Sequence, residues 1–107
     1  MYSFEMTANG ERLLFEARSY IYGGGLSITI SGDEGPFGVL SVNLDGHPDT
    51  VGLELLEDEF VLNHDWLDEW SKPYLKDFLK SGHFEDTGKR CNYGFCVDIP
   101  IWRLIRR

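Results

Sequence analysis

Apolar residues alternate with polar ones over most of the first half of the chain. Tyr2, Phe4 and Met6 fall on one face and Ser3 and Glu5 on the other, the period-two signature of a half-buried strand. Asn9-Gly10 is a hairpin turn dipeptide, and beyond it Leu13, Phe15 and Ala17 alternate against Arg12, Glu16 and Arg18. The two runs predict a β-hairpin. Leu26–Ile30 is strand-like by alternation and by β-branched content. Gly32-Asp33-Glu34-Gly35-Pro36 reads as a turn, and Phe37–Leu44 as the next strand, with Leu40, Val42 and Leu44 in phase. Glu59–Asn63 reads as a further strand, and Val51–Leu56 as an apolar run interrupted by acids. The region around Pro100 predicts two closing strands, Tyr93–Ile99 and Ile101–Ile105, with the proline at an edge or a bulge.

The period changes to helical once, over Pro73–Ser81. Tyr74, Leu75, Phe78 and Leu79 form one stripe, with Lys72, Lys76 and Lys80 opposite it. Ser71 is the expected N-cap, Pro73 suits the first turn, and Gly82 suits the C-terminal cap. Glu85-Asp86-Thr87-Gly88 reads as another turn. The expected fold is α+β, a single domain over residues 1–107: a twisted antiparallel sheet of five or six strands with one short helix packed against it.

Composition agrees with a folded domain. Hydrophobic residues make up 42% of the chain, aromatics included, far above what a disordered segment carries. The formal net charge is −8, which disfavours direct association with nucleic acid or with an anionic membrane. No stretch of 18 apolar residues is present, and no basic segment followed by a long apolar run opens the chain. A cytoplasmic protein with no membrane contact, a monomer or homodimer, is therefore expected.

Motifs that would carry catalysis are scarce. Gly23-Gly24-Gly25 is followed by a strand pattern, where a phosphate-binding loop needs a helix. Asp45, His47 and Asp49 alternate at a spacing that suits metal ligands, but a turn around His47-Pro48 accounts for them as well. Cys91 and Cys96 supply two zinc ligands where four are required, with His64 and His83 as unforced additions. Buried free thiols are the simpler expectation. A carboxylate pair for acid–base work would be an accident of density in so acidic a chain. The expectation is a protein with no catalytic residues, no metal site and no cofactor.

Charge is distributed unevenly. Between Ser19 and Ser71 there is no lysine or arginine, while eleven carboxylates occur, seven of them packed between Glu54 and Glu69. Residues 72–107 are net basic, through Lys72, Lys76, Lys80, Lys89, Arg90, Arg103, Arg106 and Arg107. A solvated acidic face serves solubility alone. It also suits docking to a basic partner, whose association it would speed and orient. A rigid row of acids could go further and imitate DNA phosphates, spaced about 1.7 Å along the duplex axis. Asp33, Glu34, Asp45 and Asp49 fall in predicted turns, where acids are ordinary. The candidate partner-binding set is Glu54, Glu57, Asp58, Glu59, Asp65, Asp68 and Glu69, with Trp66 and Trp70 as anchors or as core.

The order of short motifs, Leu40-Ser41-Val42-Asn43-Leu44, Glu59-Phe60-Val61, Glu69-Trp70-Ser71, Glu85-Asp86-Thr87-Gly88, Gly94-Phe95 and Ile99-Pro100-Ile101, resembles a family of small uncharacterised bacterial proteins carried on phages and conjugative elements. The resemblance covers the last two-thirds of the chain and transfers no catalytic residue. It implies a genetic setting rich in inhibitors of host defence, including small acidic anti-CRISPR and anti-restriction proteins. The resulting expectation is an interaction protein, DNA-mimic-like, that binds a basic nucleic-acid-handling host protein such as a CRISPR effector or restriction enzyme. The alternative is a nucleic-acid or regulatory binder that contacts phosphates through Lys89, Arg90, Arg103, Arg106 and Arg107.

Overall fold

A computed structural model describes residues 2–20, 25–44 and 53–106. The hairpin forms as the pattern predicts: β1 (Tyr2–Ala8) pairs with β2 (Glu11–Ser19), and Ala8 faces Glu11 across the turn. Asn9 and Gly10 both take positive φ, 48° and 80°, the conformation that matches the right-handed twist of the flanking strands. β3 (Leu26–Gly32) and β4 (Gly35–Val39) complete an antiparallel sheet in the order β1-β2-β3-β4. Its inner face is Leu13, Phe15, Ala17, Leu26, Ile28 and Ile30, all buried.

The α+β class holds, but the single sheet of five or six strands does not. A second antiparallel sheet follows, in the order β5-β6-β8-β7, from β5 (Ser41–Val42), β6 (Glu59–Leu62), β7 (Phe84–Tyr93) and β8 (Cys96–Leu104). The predicted strand Phe37–Leu44 is divided between the two sheets at Leu40. The Leu40 N–H donates to Ile28 O at 2.8 Å in the first sheet, and its carbonyl accepts from Asn63 N–H at 2.8 Å beside the second. A strand that changes sheets at a bend is how two sheets meet at a corner.

Two further expectations are corrected. Glu85–Gly88 is no turn but part of the ten-residue β7, whose pairing with β8 shifts register between Asp86 and Arg90. The bulge absorbs the turn-like composition without ending the strand. Pro100 does not separate two strands, since β8 runs through it. Proline is tolerated there because β6 pairs only with Ile101–Arg103, leaving no partner on that side to need the missing N–H. Leu53–Leu56 forms no strand; Leu53 and Leu55 pack on the core while Glu54 and Leu56 face out.

α1 (Lys72–Lys80) starts within one residue of the predicted position, with Pro73 in its first turn. It packs against β1 and β7, the outer strands of the two sheets. Phe78 inserts between Phe15, Trp66 and Phe84, at centroid distances of 5.1, 5.6 and 6.3 Å. Burying one such ring contributes about 1.5–3 kcal/mol. Ser71 stands at the N-cap position as expected, but its side chain makes no capping bond to the helix. It is fully buried and helical, and its hydroxyl is shared between Trp66 O (2.6 Å) and Asp68 O (2.8 Å). No helix among the described residues is long and apolar enough to cross a membrane.

Candidate interaction surface

β6 divides the acidic stretch in two. Its four residues span about 13 Å at ~3.3 Å each, with Glu54, Glu57, Asp58 and Glu59 before or at its start and Asp65, Asp68 and Glu69 beyond its end.

At the start of β6, the chain turns through Leu56–Glu59 with Asp58 at φ 65°. Glu59 is 3% exposed, so it belongs to the framework and not to a displayed row of acids. Its Oε1 accepts from Leu56 N–H at 2.8 Å and from Lys89 Nζ at 2.6 Å. Burial pushes its carboxyl pKa up. The Lys89 and Leu56 hydrogen bonds and the charges of Lys89 and Arg103 outweigh that, leaving it below the ordinary value. Across the sheet Glu59 faces Arg103, which faces and pairs with Glu85, so charge alternates along the row. Asp58 is held by Arg106 Nε at 2.9 Å, and the same guanidinium lies 5.2 Å from the Tyr2 ring centroid. Glu54 and Glu57 are exposed and make no ion pair with any described residue.

Beyond β6, residues His64–Leu67 and Glu69–Ser71 form two short 3-10 turns, the first capped by the Asn63 side chain accepting from Asp65 N–H at 3.1 Å. Trp66 is buried at 2% exposure, so the structure makes it core. Its Nε1–H donates to Val39 O at 2.9 Å, and its ring edge lies where a Cβ on Gly38 would come within 3.3 Å. Any side chain there would push the indole back from β4 by a few tenths of an ångström. Trp70 is 50% exposed. Asp68 makes no ion pair with a described residue, Glu69 pairs with Lys72 at 2.6 Å, and Asp65 lies 3.3 Å from His64 Nε2; all three acids are exposed.

Trp70 stands on a closed ring of aromatic contacts. It touches Trp66 (5.1 Å) and Tyr74 (6.1 Å), and Phe37 from β4 touches the same two rings at 6.1 and 5.3 Å. The Tyr74 hydroxyl donates to Glu11 Oε1 at 2.8 Å, and that bond is the main reason its proton is held more tightly than usual. Phe37 also lines an open cleft of about 630 Å³ with Glu11, Arg12, Asp33, Glu34 and Pro36. Asp33 and Glu34, ordinary turn acids by sequence, thus flank an aromatic platform. Arg12 faces the same cleft, but Glu5 holds its guanidinium, at 3.0 Å from Nε.

Each described member of the basic set is held by a carboxylate: Lys89 by Glu59, Arg90 by Asp86, Arg103 by Glu85 and Arg106 by Asp58. Arg107, Asp45, His47, Asp49, Gly23 and Gly24 lie outside the described residues. Among the described residues no three His, Cys, Asp or Glu side chains gather as metal ligands. Cys91 and Cys96 are free thiols, half-buried against the core, and burial pushes the Cys91 thiol up. Sequence reasoning passed over one surface residue, Phe95, which is fully exposed at the tip of the β7–β8 hairpin beside the exposed Val97. Its signal was an aromatic directly after Gly94, in a turn position that no core requires. No protein-family model, curated protein or solved structure matches this chain.

Proposed function

We propose that this protein is a non-catalytic inhibitor, carried by a phage or mobile element, that binds a basic nucleic-acid-handling defence protein in the bacterial cytoplasm and blocks the surface where that protein holds DNA or RNA. The observation that carries the reading is the unequal pairing of charge. Among the described residues, Lys89, Arg90, Arg103 and Arg106 are each held by a carboxylate, and although Arg18, Lys76 and Lys80 are exposed without one, the acids Glu54, Glu57, Asp68, Asp33 and Glu34, which make no ion pair, outnumber them. The uncompensated exterior is therefore negative, and it attracts the same basic grooves that attract phosphates. The same pairing counts against phosphate binding by Lys89, Arg90, Arg103 and Arg106, since each would first have to leave its carboxylate.

A competition experiment tests this. A purified guide-loaded CRISPR effector and a purified restriction enzyme, each bound to labelled duplex DNA, are titrated with the protein at about 50 and 200 mM salt. Displacement of DNA from one of them at low salt, weakening at the higher salt, is the expected result. Unchanged DNA binding by both at low salt would overturn the proposal.

A further inference from the structure

We infer that Trp70 and the Trp66, Tyr74 and Phe37 rings that support it dock an arginine- or lysine-rich segment of the partner, in which an apolar side chain lies on the aromatic platform while cations reach the acids around it. The inference rests on the proposed binding of a basic protein and adds where, and by what kind of segment, that binding occurs.

The apolar face is the starting point. Trp70 is 50% exposed, so half of a large indole meets water over the Trp66 and Tyr74 rings on which it packs. Core formation does not demand this of Trp70, because Trp66 and Phe78 already fill the interior beneath it. Exposed tryptophans on a firm support are frequent anchors of protein interfaces. The support here is firm. Trp66 is tied to β4 through Val39 O, Tyr74 is tied to Glu11, and Phe37 closes the ring of contacts between them. A platform already in place loses little freedom on binding.

Charge complementarity selects the occupant. Asp68 and Glu69 immediately precede Trp70, while Glu11, Asp33 and Glu34 line the cleft on the Phe37 side. The neighbouring cations Lys72 and Arg12 are paired with Glu69 and Glu5. A guanidinium or ammonium here gains both these carboxylates and the indole face. A second copy of this chain would set acid against acid, which disfavours a homodimer through this face. Strand addition is also disfavoured: Pro36 offers no N–H on the free edge of β4, and the Trp66 indole takes the Val39 carbonyl. Recognition therefore runs through side chains.

The test uses the full chain and a fluorescein-labelled eight-residue peptide of alternating arginine and leucine, read by anisotropy at about 50 mM salt. An alternating glutamate–leucine peptide serves as the control. Trp70→Ala is expected to weaken arginine–leucine binding roughly tenfold or more, and Trp70→Phe, which keeps a ring on the platform, to restore most of it. Asp33→Asn/Glu34→Gln should weaken it several-fold, whereas Asp98→Asn, an exposed acid of β8 that keeps its positive φ as asparagine, should leave it within about twofold. Equal binding by wild type and Trp70→Ala overturns the docking surface, as does equal loss in the Asp98 variant. A wild-type dimer that Trp70→Ala converts to monomer would assign the face to self-association and also overturn it. If wild type binds neither the basic peptide nor any basic defence protein, the proposed function falls; if it binds the protein and Trp70→Ala binds equally, only the docking surface falls.

Discussion

Asp58 and Glu59, where β6 begins, share one acidic stretch of sequence with Asp68 and Glu69, which lie past its end. The first pair is held inward: Glu59 is buried against Lys89 and the Leu56 N–H, and Asp58 is clasped by Arg106. In the second pair, among the described residues, Asp68 has no cationic partner and Glu69 has an exposed i,i+3 lysine, an interaction worth a few tenths of a kcal/mol. The tryptophans divide in the same way, Trp66 inside and Trp70 half outside. A run of acids in sequence is therefore not yet a negative surface. Pairing with distant bases decides which acids stabilise the fold and which are displayed.

The largest expected difference lies between the tryptophans. Trp66→Ala should cost about 3–5 kcal/mol in denaturant unfolding, since it empties a core site and removes the bond to Val39 O. Trp70→Ala should cost about 1 kcal/mol or less. Comparable losses would erase the distinction between core and platform.

Glu59→Ala comes next, at about 1–3 kcal/mol, because it strands the Leu56 N–H and frees Lys89 from its partner. Its pH dependence sharpens the point. The Glu59 carboxyl has a lowered pKa in the folded state, so its contribution is fully present above the ordinary value of 4.5 and is lost as pH falls through the lower folded value. Glu59→Gln should consequently be less sensitive to acid over that window than wild type, when stability is followed by urea unfolding from neutral pH downward. An equally steep acid limb in the variant would place the titrating group elsewhere.

Asp58 offers the finest distinction. Asp58→Asn tolerates the same positive φ and loses only the ion pair with Arg106, a change of about 0.5 kcal/mol or less in thermal or urea unfolding. Asp58→Ala adds the cost of a side chain ill-suited to that backbone and should be clearly the worse of the two. If alanine and asparagine are equivalent, the turn before β6 is not fixed by residue 58.

Periodicity made the hairpin and the helix legible, because β1, β2 and α1 each bury one clean face. The division into two sheets was not legible: it turns on Leu40, which continues the alternation of β4 while passing its backbone bonds from one sheet to the other. Glu85–Gly88 misled because its composition is that of a turn, and only the long partner β8 keeps it in a strand. At the site, Trp70 was visible, but its separation from Trp66 was not. Spacing of four residues implies one helical face, and here the chain breaks between two 3-10 turns at Asp68, with ψ 160°. Phe37 was invisible as a site residue because it meets the Trp66 and Tyr74 rings beneath Trp70 only once the chain has folded, and Asp33 and Glu34 join it only by lining the same cleft.

The account's central claim is that the two ends of the acidic stretch do different work. Its most direct test is one pair of double variants, Asp58→Asn/Glu59→Gln and Asp68→Asn/Glu69→Gln, each measured for urea stability and for displacement of DNA from the same basic defence protein. The first should lose stability and keep displacement, and the second should keep stability and lose displacement. The reverse assignment, or equal effects of the two on both readouts, would contradict it.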